Sequence, residues 1–590
     1  MTDYIPNPQI AVLDTGGQYT HLIARKVREL GVYADVLPSE TPASELRGRR
    51  GLIISGGPSS VYEEGSPTVD PEIFGAGMAV LGICYGQQLM AKFLGGEVQR
   101  GEKGEYGLAT LDLADGAAGP LFVEAAGRQQ IWMSHRDTVK KAPVGFDVVG
   151  TTETCSIAAI AAPDRRLFGV QFHPEVVHTK HGRQILSNFL FDVAGCTQDW
   201  DPRHRTPLVE QRIREVVGDR NVFFFVSGGV DSTVAFTLCL RALGEKRVSG
   251  YYVDTGLMRE EETAYVRDLF GALGTRNFSI EEAGPQFLGA LAGVSDPEAK
   301  RKIIGTQFVE VQDRILRTGH FLEGNWILGQ GTIYPDTIES GGTARADLIK
   351  THHNRVAGIQ KLIDEGRIVE PLTYFYKDEV REIGRELGIP DEFLDRHPFP
   401  GPGLGIRCLC SAEGGEAPVQ TPDGWILPVR SVGVQGDSRT YRPVLAIEGG
   451  SLHQRAVELI NRIGEINRVV ARVATAVPVG EMRLQVGELS QERLDRLRRV
   501  DAIVRRISVD TGFEAKVWQF PVITIPLGTA EAPDSVVLRP VESVDGMTAQ
   551  AVSIPAAVMA EMTAELMTVS GICGVFLDLT HKPPGTIEWE

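Results

Sequence analysis

Cys84 stands in AVLGICYGQQLM (79 to 90), between an apolar run and a string of polar residues, with Gly82 and Gly86 two positions to either side. That setting suits a nucleophile. Glycines permit a strained bend from strand to helix that holds the side chain out of a sheet. A helix N-terminus favours the thiolate. A cysteine nucleophile also needs a base and an oxyanion hole. GVQFHPEV offers the base: His173 to take the thiol proton, and Glu175 to orient the imidazole. ISGGPSS offers the hole, with the backbone N–H groups of Gly56 and Gly57 at a bend.

FFFVSGGVDSTVAFTL (223 to 238) repeats a strand-loop-helix arrangement with different chemistry. Ser227, Gly228, Gly229, Val230, Asp231 and Ser232 form the loop. Glycines let N–H groups approach phosphate oxygens, and the helix start adds positive potential. Asp231 is an acid where a phosphate should sit, so Mg²⁺ bridging it to the phosphates resolves the conflict. The G-K-[ST] of a Walker A loop is missing.

The elements that must position these groups are strands followed by turns. Residues 78 to 83 predict a buried strand and 87 to 94 the start of a helix; GLIIS and GVQF predict strands ahead of the glycine pair and of His173. Phe223 to Val226 predicts a buried strand, and the next one, VSGYYVDTGLMR, ends in Asp254-Thr255-Gly256, placed to line an adenosine pocket. ILGQGTIYPDTIES predicts another strand with a glycine-rich turn at Gly331. Open α/β sheets put their sites at such strand ends. YKDEVREIGRELGIP predicts an amphipathic helix with Lys377 just before it, within reach of ATP phosphates.

Residues 1 to about 195, from VLDTGGQY through SGGP, GICYGQQ and MSHRD to FHPE, resemble the class I glutamine amidotransferases. The resemblance implies glutamine hydrolysis through a thioester on Cys84, with release of ammonia. It implies that Gln88 and the backbone of Ser134 and His135 hold the glutamine, with Gly57 and Tyr85 around the oxyanion. S-G-G-V-D-S resembles the pyrophosphate loop of the ATP pyrophosphatases, which cleave ATP between the α and β phosphates. That implies ATP contacts at Ser227 to Ser232, Val253, Gly331 and Lys377.

The bulk numbers set limits. The 590 residues are 42% hydrophobic and 23% charged, ordinary for globular protein. No run approaches the apolar length of a membrane span, and the N-terminus lacks an export signal. Seven cysteines in so long a chain are no disulfide framework, so a reducing, cytoplasmic setting is expected. A net charge of −17 argues against nucleic acid or an anionic membrane as partner.

RHPFPGPGLGIR (396 to 407) is too rich in Pro and Gly for a helix or central strand, and reads as a domain hinge with exposed backbone for a ligand. The final HKPPGTIEWE reads as ordered: two prolines stiffen it, and Ile587 and Trp589 would be costly to expose. Lys582 and Glu588 are then held polar groups, suited to a phosphate and to a purine N–H edge. With VGVQGDSRTY (432 to 441), these segments resemble the glutamine-hydrolysing GMP synthetase family over nearly the whole chain. The resemblance implies that ATP adenylylates xanthosine 5′-monophosphate (XMP) and that ammonia then displaces AMP to give GMP. It implies XMP contacts at Arg301, Asp437, Arg439, Lys582, Thr586, Ile587 and Glu588, joined by Ser340, Gly341, Gly342 and Pro400. Lys350 and His353 fall on a mobile lid, with Lys377. No organic prosthetic group is implied.

The expected fold class is α/β. It comprises a class I glutamine amidotransferase domain (1–200), an ATP pyrophosphatase domain (201–396) and an α+β C-terminal domain (397–590) with two β-β-α-β subdomains near 425–474 and 518–580. WILPV (425 to 429) is echoed by WQFPV (518 to 522), each followed by a second strand, a helix and a short strand. An internal copy would cover the surface a partner chain otherwise buries, so a monomer or weak, ligand-dependent homodimer is expected. Two rivals share part of the pattern: another glutamine-dependent ATP-pyrophosphatase amidating enzyme, and a catalytically dead nucleotide-sensing scaffold. A nitrilase-type glutaminase would be usual for the first, and the intact Cys84, His173, Glu175, Asp231 and Lys377 count against the second.

Overall fold

Short apolar runs closed by glycine or polar turns form the strands of a nine-stranded sheet in the computed structural model. The structure describes residues 5–114, 119–125, 127–341, 357–397, 399–435, 438–448, 452–543 and 549–590. The strands are β1 (Ile10–Asp14), β2 (Ala34–Pro38), β3 (Gly51–Ile54), β4 (Ala79–Ile83), β5 (Glu97–Leu113), β6 (Gln129–Lys141), β7 (Asp147–Thr151), β8 (Ala159–Ala162) and β9 (Leu167–Val170). They lie in the order β2-β1-β3-β4-β9-β8-β7-β5-β6. The first five in that order are parallel and the rest antiparallel. Every residue of β3, β4, β8 and β9 is buried, as expected for strands covered on both faces.

This sheet belongs to the first of two compact units, which runs to Val209 and includes segments beginning at Ile333 and at Thr373. Those segments are tied in by Arg28. Its buried guanidinium lies within 4.6 to 5.3 Å of the Tyr33, Trp200, Tyr334 and Tyr376 rings and 3.3 Å from Glu379.

Among the described residues the second unit holds two large sheets and two small two-stranded ones. One is fully parallel, with β10 (Asn221–Phe225), β11 (Val248–Asp254), β12 (Phe278–Glu282), β13 (Trp326–Gly329) and β14 (Ile368–Val369) in the order β12-β11-β10-β13-β14. The order reverses direction between β10 and β13, which creates a crevice at their C-terminal ends.

The other large sheet is palindromic apart from one extra edge strand, Val419–Thr421, beside Gly424–Gln435. Its central pair, Arg468–Thr475 and Ile572–Asp578, is antiparallel. Outside each central strand lies a parallel neighbour, Ser438–Ile447 on one side and Asp534–Leu538 on the other. Outside those lie antiparallel strands, Gly424–Gln435 and Val522–Ile525. Each half carries one helix between its second and third strands, Leu452–Arg462 or Ala556–Leu566. The two β-β-α-β runs are therefore related by an approximate two-fold axis through the central pair. WQFPV itself is not a strand, unlike WILPV: the second copy's first strand starts only at Val522, and Gln519 makes an isolated bridge to Val541.

Three other expectations need correction. The helix after Cys84 starts at Tyr85 and not near 87. Lys377 is the first residue of its helix, Lys377–Glu386, and does not precede it. Of the Pro-Gly stretch, Gly401 is exposed, but Gly403 to Arg407 is buried. Gly403 has φ +62°, and a Cβ there would lie 2.3 Å from the Leu257 carbonyl oxygen. Its glycine serves close packing as well as the turn.

Candidate functional site

Cys84 carries the strain at the end of β4. Its φ of 51° and ψ of −104° place a non-glycine residue in sparsely populated space, and the helix Tyr85–Phe93 begins directly after it. The flanking glycines do not carry that strain. They let the backbones close in: a Cβ on Gly82 would lie 2.6 Å from the Gly86 carbonyl oxygen, and one on Gly86 would lie 2.3 Å from Ile54 O of β3.

β3, β4 and β9 are neighbours in the sheet, so the glycine pair, the cysteine and the histidine emerge side by side. A Cβ on Gly56 would lie 3.0 Å from His173 Cε1 and 3.5 Å from Cys84 Cβ. Both catalytic candidates thus face the same small space. His173 Nδ1 lies 2.7 Å from Glu175 Oε1. Burial opposes charge on the imidazole, but the Glu175 carboxylate and the Cys84 thiol outweigh it and raise the His173 pKa to about 10. The Cys84 thiol donates to Ser134 O at 3.7 Å, and Gln171 Nε2 donates to Cys84 Sγ at 3.5 Å.

A cavity of about 630 Å³ opens on this cluster and is lined by Gly56, Gly57, Gln88, Ser134, His135 and Asp137 among others. Gln88 Nε2 donates to Asp137 O at 2.8 Å and to Gln171 Oε1 at 3.3 Å. The His135 ring is engaged with Asp137 O and Glu105. The Tyr85 side chain turns away from the cavity: its hydroxyl donates to Pro67 O at 2.7 Å. Only its main-chain N–H, in the first turn of the helix, is suited to an oxyanion. Sequence reasoning missed Gln171. The signal was present, since Gln171 lies two residues before His173 at the same strand end.

In the second unit the loop after β10 sits at the crevice between β10 and β13. Its hydroxyls lock it: Ser227 Oγ and Ser232 Oγ are 3.0 Å apart, Gly229 N donates to Ser227 Oγ at 3.2 Å, and Ser232 Oγ donates to Gly229 O at 3.1 Å. Gly228 has φ +74° and Val230 opens the helix Val230–Leu243. Gly331, after β13, approaches so closely that a Cβ would lie 2.8 Å from Asp231 C and Ser232 N. Val253 belongs to the apolar core near the end of β11, in register with Glu281 of β12. Ser340 and Gly341 lie in the helix Tyr334–Gly341; Gly342, Lys350, His353 and Asp437 lie outside the described residues.

The tail is packed. Trp589 is fully buried and its indole N–H donates to Asp578 Oδ2 at 2.9 Å. Asp578 also pairs with Arg468 at 2.8 Å and Arg539 at 2.7 Å. Burial raises the Asp578 pKa, but the two guanidiniums outweigh it and hold the carboxyl below its usual range. Arg468 Nη2 donates to Thr586 O, Thr586 Oγ1 and Glu588 O, and Arg539 Nε to Ile587 O at 2.9 Å. Lys582 exchanges backbone hydrogen bonds with Ala549. Arg301 donates to Glu590 O, and buried Lys300 pairs with the Glu590 carboxylate. Arg439 pairs with Glu298 at 3.1 Å, on the helix that carries Arg301. Thr586, Ile587 and Glu588 are thus held by Arg468 and Arg539, which the sequence reading did not single out, and Arg301 is tied to the same tail through Glu590 O.

A strained strand-end cysteine beside a carboxylate-held histidine, on a sheet of this order, defines a class I glutamine amidotransferase unit, here followed by an ATP-pyrophosphatase-type sheet. The family model for glutamine amidotransferase class-I matches residues 11–193, and that for the GMP synthase C terminal domain matches residues 508–589. A Leptospira interrogans protein named "Probable GMP synthase [glutamine-hydrolyzing]" is 42% identical over 600 residues, covering 99% of both chains. The GMP synthase of Streptomyces coelicolor is 39% identical over 594 residues, covering 98% of both. Among solved structures, a glutamine amidotransferase of Thermotoga maritima matches at TM-score 0.27 and 20% identity, over 32% of this chain and 99% of that one. The chain belongs to the glutamine-hydrolysing GMP synthase family.

Proposed function

We propose that the chain converts XMP to GMP with ATP and glutamine, through an adenylyl-XMP intermediate. The Cys84 thiolate attacks the glutamine carboxamide carbon. Gly57 and Tyr85 N–H groups receive the oxyanion, and His173 passes a proton to the departing ammonia. Water then cleaves the thioester to glutamate. In the second unit the XMP O2 attacks the α-phosphorus of ATP and pyrophosphate leaves. Ammonia attacks C2 and expels AMP.

The loop suits both groups: the Asp231 carboxylate is a hard oxygen ligand for Mg²⁺, and the Ser227 and Ser232 hydroxyls can donate to phosphate oxygens. Among the described residues no group of three or more His, Cys, Asp or Glu is arranged to hold a metal, so phosphate oxygens would complete the coordination. When bound, the ion neutralises phosphate charge. By the family resemblance Lys377 is assigned to the ATP phosphates, and Lys350 and His353 to the same lid function. Lys582 and Arg301 supply charge to the XMP phosphate, and Glu588 accepts from a purine N–H. Ser340, Gly341, Gly342, Pro400, Asp437, Arg439, Thr586 and Ile587 complete the nucleotide site.

The protein works in the cytoplasm as a monomer or weak ligand-dependent homodimer, with neither nucleic acid nor membrane as partner. Among the described residues no helix is long and apolar enough to cross a membrane.

The observation that carries this reading is Cys84 at φ 51° beside the His173–Glu175 pair, 2.7 Å apart. The test supplies XMP, ATP-Mg and glutamine. Equimolar GMP, AMP, pyrophosphate and glutamate are expected. Amidation of a different acceptor would assign the chain to another amidating enzyme, and no ATP cleavage at all would leave the scaffold reading.

A further inference from the structure

The Pro-Gly-rich stretch at 396 to 407 and the tail at 582 to 590 meet at one side chain. Arg407 is fully buried. Its Nε donates to Glu588 Oε2 at 3.0 Å and its Nη2 to Glu588 Oε1 at 2.7 Å, a two-bond fork. Its guanidinium lies 5.4 Å from the ring centroid of Phe399, the neighbour of Pro400. Burial opposes the charge, but the Glu588 carboxylate outweighs it and raises the Arg407 pKa.

The fork uses one lone pair on each carboxylate oxygen. A carboxylate has about four acceptor sites, so each oxygen keeps one for a further donor. The Glu588 side chain is 16% exposed while that of Arg407 is 0% exposed, so a ligand can reach the acid but not the base. A buried ion pair is often no more stable than an apolar pair of the same volume. What the fork provides is orientation: two bonds fix the plane of the carboxylate, which a lysine, with one point charge, cannot do.

We infer that Arg407 is a positioning residue for the nucleotide. It fixes the Glu588 carboxylate for a purine N–H and, through Phe399, keeps Pro400 in step with it. This rests on the reading of Glu588 as the purine acceptor.

The test measures XMP binding to the full chain by titration calorimetry, for E588Q, R407K and the double variant. E588Q is expected to weaken XMP roughly tenfold or more, since one charged acceptor oxygen becomes an amide donor facing the purine N–H. R407K is expected to weaken it by about tenfold, and the double variant to be within about twofold of E588Q, because Arg407 acts through that carboxylate. In the ammonia-driven reaction R407K should raise KM for XMP while kcat at saturation stays within about threefold. XMP binding unchanged in R407K, or a loss that adds in full to that of E588Q, overturns the role of Arg407 and leaves Glu588 standing. Unchanged binding in E588Q overturns the reading of the tail itself. Should R407K fail to fold, F399L takes its place: severalfold weaker XMP is expected, and no change overturns the link to Phe399.

Discussion

His173 Nδ1 and Glu175 Oε1 lie 2.7 Å apart, with side chains 6% and 0% exposed. The pair holds the imidazole by its far nitrogen and leaves Nε2 for the thiol and the substrate. It also keeps His173 protonated to about pH 10, despite its burial.

Glu175→Gln removes the carboxylate that raises the His173 pKa. The imidazolium then loses its proton at lower pH. The alkaline limb of glutamine hydrolysis should move from near pH 10 toward the ordinary histidine range near 6.5, and the rate should fall by up to about 10⁴-fold. The stability effect has the same sign. The raised pKa contributes fully below about pH 6.5 and is lost as pH rises to about 10. Rate profiles of both forms check this; an unmoved alkaline limb would show that Glu175 does not set the proton affinity of His173.

Gly331→Ala places a methyl 2.8 Å from Asp231 C and Ser232 N. The loop must shift, and KM for ATP should rise at least about tenfold. If Asp231 holds Mg²⁺ as proposed, Asp231→Asn should slow XMP adenylylation by about 100-fold or more, since such a ligand contributes several kcal/mol. Glutaminase chemistry should persist in both. Pyrophosphate release at the normal rate would dismiss the role of the loop.

What was legible in the sequence was local. Cys84, the His173–Glu175 pair and the Ser227–Ser232 loop each lie just beyond a strand-forming run, so strand-end chemistry can be read from a few neighbouring residues. What was hidden depends on long-range pairing. Arg407 and Glu588 are 181 positions apart, and Arg468 and Asp578 are 110 apart, so no spacing rule links them. Glycine was ambiguous for a different reason: it marks exposed turns and close approaches alike. Gly403, in a stretch whose composition predicts exposed backbone, is both a turn and a close approach, packed on Leu257. The echo at WQFPV misled because apolar composition persists just ahead of the strand that starts at Val522.

The palindromic sheet bears on assembly. Its central pair, Arg468–Thr475 with Ile572–Asp578, joins the two β-β-α-β runs within one chain. Tethering gives the internal copy an effective concentration of roughly millimolar, so it should outcompete another chain. Sedimentation without ligand should find a monomer, or a dimer that dissociates on dilution, at micromolar concentration. A dimer of constant mass down to nanomolar concentration would show that the internal copy does not replace a partner.

The most direct measurement is GMP formation by Cys84→Ala with each nitrogen source. The substitution removes the proposed nucleophile and leaves the sequence of the loop at 227 to 232 unaltered. Glutamine-dependent synthesis should fall by at least about 10³-fold, while synthesis from high ammonium should continue near the wild-type rate. A variant that keeps its glutamine-dependent rate, or that free ammonia cannot rescue, would contradict the division of labour between Cys84 and the nucleotide loop.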